Sequence, residues 1–174
     1  MNKLIAVAGF AVTASTLWAL PSVAAAQATA AESPHSFAGN MSLVSEYRFR
    51  GLSQTDFRPA LQGGFDYSHT SGAYLGIWAS NVSWLADAGA GSGSSVELDV
   101  YGGYRRSVGN FAYDAGLLQY YYPGRFSNWT SAGNPKPNTL EAYVSGSWQM
   151  LTVKYSHALS NLFGGLDSKG SHYL

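Results

Sequence analysis

Between Met41 and Ser156 the chain repeatedly alternates apolar and polar side chains, and a period of two residues predicts strands with one apolar and one polar face. In the first segment Met41, Leu43, Tyr47 and Phe49 share one side, and Ser42, Glu46, Arg48 and Arg50 the other. A second, residues 59–70, sets Leu61, Phe65 and Tyr67 against Gln62, Asp66 and Ser68. The third, AYLGIWASNV from Ala73, is apolar on both sides and its facing stays open. The fourth sets Val96, Leu98, Val100 and Tyr104 against Glu97, Asp99, Tyr101 and Arg105, and the fifth opposes Phe111, Tyr113 and Leu117 to Asp114. In the sixth, from Thr139 to Gln149, Leu140, Ala142, Val144 and Trp148 oppose Glu141, Ser145, Ser147 and Gln149. The seventh alternates Leu151, Val153 and Tyr155 with Thr152, Lys154 and Ser156, and an eighth is expected to begin in SKGSHYL. None of these segments has helical periodicity, so the expected class is all-β.

The connections carry a second pattern. Thr70-Ser71-Gly72, Ser107 to Asn110 and Gln149-Met150 read as short turns, whereas residues 51–58, 83–95, 123–138 and 160–170 are long. Alternation of long and short predicts an antiparallel up-and-down barrel with long loops at one rim and short turns at the other, as in outer-membrane barrels. A periplasmic N-terminus would send the first strand outward and make 51–58 the first external loop.

Upstream, Lys3, the apolar run from Leu4 to Leu20, Pro21 and Ala24-Ala25-Ala26 form the three parts of a secretory signal peptide, residues 1–26. Cleavage is expected after Ala26 or Ala28. Residues 27–40 have no periodicity and contain Pro34, so they read as a flexible N-terminal segment, leaving 41–174 for the barrel domain. The chain has no cysteine, hence no disulfide. Its 10 basic and 10 acidic groups leave no electrostatic footprint for nucleic acid.

Alternation alone fits two inverse architectures. A soluble lipocalin-like barrel packs its apolar side inward, while a membrane barrel turns that side to lipid and lines its interior with the polar one. Charged residues make up only 11% of the chain, against a usual ~25%, which leaves little to cover a soluble exterior. Aromatics near the expected strand ends (Tyr47, Phe49, Tyr67, Trp84, Tyr104, Phe111, Tyr113, Trp148 and Tyr155) fit interfacial girdles. The expectation is therefore a transmembrane barrel.

Five blocks carry a resemblance: SEYRFRGLSQT from Ser45, PALQGGFDYSHTSGAYLGIWASNV from Pro59, ELDVYGGYR from Glu97, EAYVSGSW from Glu141 and VKYS from Val153. They resemble the TorF-type porin family, the Gcw_chp family of proteobacterial exported proteins, from about residue 41 to the end. The resemblance implies an outer-membrane β-barrel of a Gram-negative bacterium, a porin for passive diffusion of small polar solutes or ions, with outer-membrane lipid as its surroundings. It supplies no catalytic residues, and no cofactor or metal is expected. Members of that family continue for several more strands, and Leu174 stands where a terminal aromatic is expected, so the chain reads as a C-terminally truncated member. Two other readings stay open: a non-conducting structural or surface-binding outer-membrane barrel, and a soluble periplasmic ligand-binding barrel.

The candidate functional residues are the charges on the polar faces. A basic group facing lipid at mid-bilayer costs about 2–4 kcal/mol, so Glu46, Arg48 and Arg50 are expected in the lumen with Asp66, Glu97, Asp99, Arg105, Asp114, Glu141 and Lys154. There they either line an aqueous path and set its charge preference or pair with one another inside a narrow, filled barrel. Other motifs fail on spacing. His157 and Ser160, three apart, face opposite sides of a strand. His35, His69, His157 and His172 are too scattered for a metal site. AGAGSGSS at 88–95 lacks the lysine of a phosphate loop. Asn81 and Asn128 head chance matches to the glycosylation motif.

Overall fold

Period-two alternation becomes seven long antiparallel strands in the computed structural model, which describes residues 33–90 and 95–174. The expected signal peptide lies outside the described residues. The long strands are β1 (His35–Val44), β4 (Ala60–His69), β5 (Ala73–Asn81), β6 (Val96–Val108), β7 (Phe111–Tyr121), β8 (Thr139–Trp148) and β9 (Leu151–Ala158). Between β1 and β4 a small separate hairpin pairs β2 (Arg48–Phe49) with β3 (Leu52–Ser53). A two-residue β10 (His172–Tyr173) completes an eight-stranded sheet in the order β1-β4-β5-β6-β7-β8-β9-β10.

The sheet is a meander with every neighbour antiparallel, and its connections alternate as the sequence predicts. Gly72, at φ 107, makes the tight β4–β5 turn in a region closed to most side chains. The expected closed barrel is not seen: β1 and β10 are the two sheet edges, and no ladder joins them among the described residues. With two residues, β10 presents too short a rim to pair along β1.

The facing is inverted relative to a soluble protein. Met41 (80% exposed), Phe65 (72%), Ile77, Val100, Leu117, Val144 and Val153 point outward, bare, while Glu97 and Glu141 on the opposite side are 2% and 3% exposed. The strand whose facing stayed open, β5, turns Leu75 and Ile77 out and Gly76 and Ser80 in. Phe37, Tyr104, Phe111, Tyr113 and Trp148 form an outward aromatic row near the short-turn rim.

A single cavity of about 580 Å³ is lined by residues from β4 (Asp66) through β9 (Lys154). In a flat sheet these strands would lie about 24 Å apart at five ladder spacings. The sheet is therefore curled, with the polar face on its concave side.

The first expected strand needs correction. Strand β1 starts at His35, inside the stretch read as a flexible lead-in over 27–40, and ends at Val44. SEYRFRGLSQT is not part of it. Arg50 and Gly51, at φ 48 and 86, turn the chain back on itself, so the alternation of Arg48, Phe49 and Arg50 belongs to the small hairpin. Tyr47, Phe49 and Trp84, expected in a membrane girdle, instead pack with Tyr120, Tyr122, Phe126, Trp129 and Phe163 around Val82, Leu85 and Ala90.

That cluster draws the long connections into a cap at one end of the sheet. Gln54 O accepts from the N–H groups of Ser83 and Trp84 at 2.8 and 3.3 Å, and Phe163 N–H donates to Thr139 Oγ1 at 2.8 Å. Two short helices, α1 (Trp84–Asp87) and α2 (Ser127–Ser131), lie within these connections. They are single turns whose apolar residues are pinned by the cap rather than by periodicity, and so escape a sequence reading. Among the described residues no helix is long and apolar enough to cross a membrane.

Glycines on the concave face make room for tyrosines. Tyr101 pairs with Gly76 across the β5–β6 ladder, its ring lies over that glycine, and its hydroxyl donates to Asp66 on β4 at 2.6 Å. A Cβ at Gly76 would overlap the ring. Gly76→Ala should therefore displace Tyr101 and lower stability by about 1–3 kcal/mol, the usual range for overpacking. Tyr101→Phe, which removes the hydroxyl and with it a hydrogen bond to a carboxylate, should cost about 1.5–3 kcal/mol. Urea unfolding of the two variants beside the parent measures both, and no loss in Gly76→Ala would show that the ring has room over residue 76.

Candidate functional site

The concave face orders its charges in two levels. Nearer the short turns, Tyr74 on β5 donates its hydroxyl to Asp114 Oδ1 at 2.6 Å and also meets the hydroxyl of Tyr143 on β8. The two rings reach toward each other over Gly103 and Gly116, which face them in register, so a side chain at either glycine would block the contact. Arg105 stacks over Tyr74 at 5.0 Å and Lys154 sits 4.2 Å from the Tyr143 ring centre. Asp66 is held by Tyr101. The tyrosines thus hold the two aspartates in separate groups, Tyr101 with Asp66 and Tyr74 with Asp114 and Tyr143, with Arg105 and Lys154 laid against the rings.

Nearer the cap the carboxylates are more deeply buried and their donors come from further away. Glu97 accepts from Tyr47 at 2.7 Å on one oxygen and from Tyr122 at 2.6 Å on the other. Glu141 receives Arg50 through both oxygens, at 2.9 and 2.8 Å, with Tyr120 at 3.4 Å. The Arg50 guanidinium lies 4.7 Å from the Phe49 ring centre and 4.6 Å from that of Tyr173. A planar, weakly hydrated cation suits these two aromatic contacts and the two-pronged carboxylate contact together. Burial, with the Glu97 charge beside them, holds the Tyr47 and Tyr122 phenols well above their ordinary pKa, so both stay protonated and donating.

The ten sequence candidates thus separate. Asp66, Glu97, Asp99, Arg105, Asp114, Glu141 and Lys154 lie on the sheet's concave side, and Arg50 reaches it from the β2–β3 turn. Glu46 and Arg48 pair with each other at 2.9 Å beside the small hairpin, where Arg48 passes over Phe57 and lines a second cavity with Arg50, Tyr120, Lys154 and Ser156. The hydrogen bond from Arg48 holds Glu46 below the usual carboxylate pKa. Their place follows from the chain leaving the sheet at Val44. Further along, His157 stacks beside Tyr155, and Ser160 Oγ accepts from Leu140 N–H at 2.9 Å.

Sequence reading passed over the tyrosine donors Tyr74, Tyr120, Tyr122 and Tyr143. A signal existed for part of this set: Tyr74-Leu75-Gly76 and Tyr101-Gly102-Gly103 place a tyrosine and a glycine on the same face of a strand. The partner that each ring crosses to is set by register, which spacing within one strand does not contain.

The fold is thus all-β, a curled antiparallel sheet with bare apolar residues on its convex side and hydrogen-bonded carboxylates on its concave one. The chain belongs to the Gcw_chp family, described as a bacterial protein of unknown function, which it matches over residues 27–174. No curated protein and no solved structure matches it.

Arg50 and Glu141 give the site its clearest energetic test. Removing one partner of a buried ion pair strands the other charge, at a cost of about 3–5 kcal/mol. Arg50→Ala should lose stability on that scale. The double variant Arg50→Met with Glu141→Gln should recover most of it, since no charge is left stranded. Denaturant midpoints followed by tryptophan emission measure this, and a cost for Arg50→Ala near zero would mean the pair is solvated.

Proposed function

We propose that this protein is an outer-membrane β-barrel of the porin type, exported by the signal at residues 1–26, which lets small polar solutes or ions pass along its concave face. The observation that carries this reading is the inverted facing. Side chains such as Met41, Phe65 and Val144 are left bare on the convex side, while Glu97 and Glu141 are sealed on the concave one. In water that arrangement would forfeit the burial of apolar surface, the main favourable term in folding. Against lipid it is the ordinary solution. Strands β4 to β8 run from 9 to 13 residues, long enough for the ~9–11 residues a tilted membrane strand needs. The outward aromatic row near the short-turn rim matches an interfacial girdle.

A specific observation also favours a second reading, the non-conducting barrel. The cap packs Phe49, Tyr120, Tyr122 and Phe163 across one end of the sheet, and Arg50 ties the small hairpin to Glu141. A barrel closed in this way would serve as a surface or structural protein.

Two measurements test the proposal. Val144→Arg should cost about 2–4 kcal/mol in folding into liposomes, as an arginine facing mid-bilayer does, whereas Ser145→Arg, on the concave side, should cost less. Equal small effects would argue for a soluble protein. The acidic cavity residues Asp66, Asp99 and Asp114 outnumber Arg105 and Lys154. In a planar bilayer under a salt gradient, the full chain should therefore conduct with a modest cation preference that weakens at high salt. Folded protein without conductance would leave the second reading.

A further inference from the structure

The carboxylates of the concave face are supplied with donors by the protein itself, with one exception. Asp66 has Tyr101, Asp114 has Tyr74, Glu97 has Tyr47 and Tyr122, and Glu141 has Arg50. Asp99 is 8% exposed, and its Oδ1 is sealed from solvent without a hydrogen-bond partner among the described residues. A buried carboxylate oxygen left without a donor is costly. Asp99 is among the residues that line the 580 Å³ cavity, beside Tyr47, Trp78, Tyr101 and Tyr120 and with Arg105 and Lys154 in the same wall, a volume in the range of small-molecule sites.

We propose that this cavity binds a small primary ammonium compound, with Asp99 as the anionic anchor and the surrounding aromatic rings holding the charge and the carbon tail. The chemistry of the wall selects this class. Aromatic faces attract cations through their ring quadrupoles and bury hydrocarbon equally well. An ammonium group brings three N–H donors, which is what Asp99 lacks. A quaternary ammonium brings none. A hard divalent metal calls for six or more oxygens, and the nearest further carboxylates, Glu97 and Glu141, are already committed to Tyr47, Tyr122 and Arg50. The inference rests on the concave face being a solvent-connected interior, as proposed above, but not on conduction, so calorimetry and the bilayer recording can fail separately.

The test is isothermal titration calorimetry on the full chain folded in detergent micelles, with butylammonium chloride as the probe. Comparison titrations use 1-butanol, tetramethylammonium chloride and calcium chloride at matched ionic strength. Butylammonium should give a saturable heat. Its affinity should fall about tenfold or more in Asp99→Asn, the loss of one charge-assisted hydrogen bond, and stay near the parent value in Asp56→Asn, in the exposed Asp56–Arg58 pair. 1-Butanol should bind about tenfold more weakly or worse. Should Asp99→Asn not fold, Trp78→Leu takes its place, with an expected loss of about threefold or more. The proposal is overturned by the absence of a saturable butylammonium heat, by equal affinity for 1-butanol, or by unchanged affinity in the folded Asp99→Asn or Trp78→Leu protein. Calcium or tetramethylammonium binding that depends on Asp99 and exceeds butylammonium binding would also overturn it.

Discussion

A carboxylate taken out of water must be given hydrogen donors, and that requirement shapes most of this molecule. Strict alternation commits Glu97, Asp99 and Glu141 to the side around which the sheet curls. The backbone cannot help them, because its N–H groups are spent in the ladders. The donors have to be side chains, and the strands supply tyrosines where a glycine on the neighbouring strand leaves space. Deeper in, neighbouring strands no longer suffice. Tyr47 and Arg50 arrive from the segment after β1, and Tyr122 from the residue beyond β7. The cap folds inward because the sheet beneath it holds acids that need it, and the aromatic cluster of the cap is the packing that this inward fold brings together.

The same requirement explains the unusual use of small and large residues on the concave face. Gly76, Gly103 and Gly116 would weaken an ordinary strand by leaving nothing to pack. Here each is roofed by a tyrosine from the adjacent strand. The ring covers the bare backbone while the hydroxyl continues to a carboxylate or to another phenol. Apolar packing and hydrogen bonding are thereby carried by the same side chain.

Much of the sheet was legible in the sequence because its two faces differ so sharply in polarity. Strands β4 and β6 to β9 show the alternation openly, and the succession of short turns and long connections can be read from Gly72, Gly109 and the polar runs between strands. The failures have physical causes. In β1 the residues Ala38, Gly39 and Asn40 are too small or too polar to display a face, so the visible alternation starts late, at Met41. Past Val44 the alternation of Glu46 to Arg50 continues, but in a second, separate hairpin, and period two does not record a break between two strands. Tyr47, Phe49 and Trp84 read as girdle residues because an aromatic near a strand end looks the same whether it meets a bilayer or a cap. Of the candidate site, the acids and bases were visible one by one. Their partners were not, since a bond such as that from Arg50 to Glu141 depends on how far the sheet curls.

The two aromatic contacts of Arg50 also order events in time. Phe49 belongs to the first connection and Tyr173 to the last described strand, so this clasp joins opposite ends of the sheet's sequence. Contacts between residues far apart in a chain pay a large closure entropy before they return anything, and they form late. Tyr173 cannot be presented until β9 is laid down, because β10 is held by Ser156 and His157. The clasp can therefore close only after the meander has been laid down as far as β10, the final stitch in a seam sewn from one side to the other.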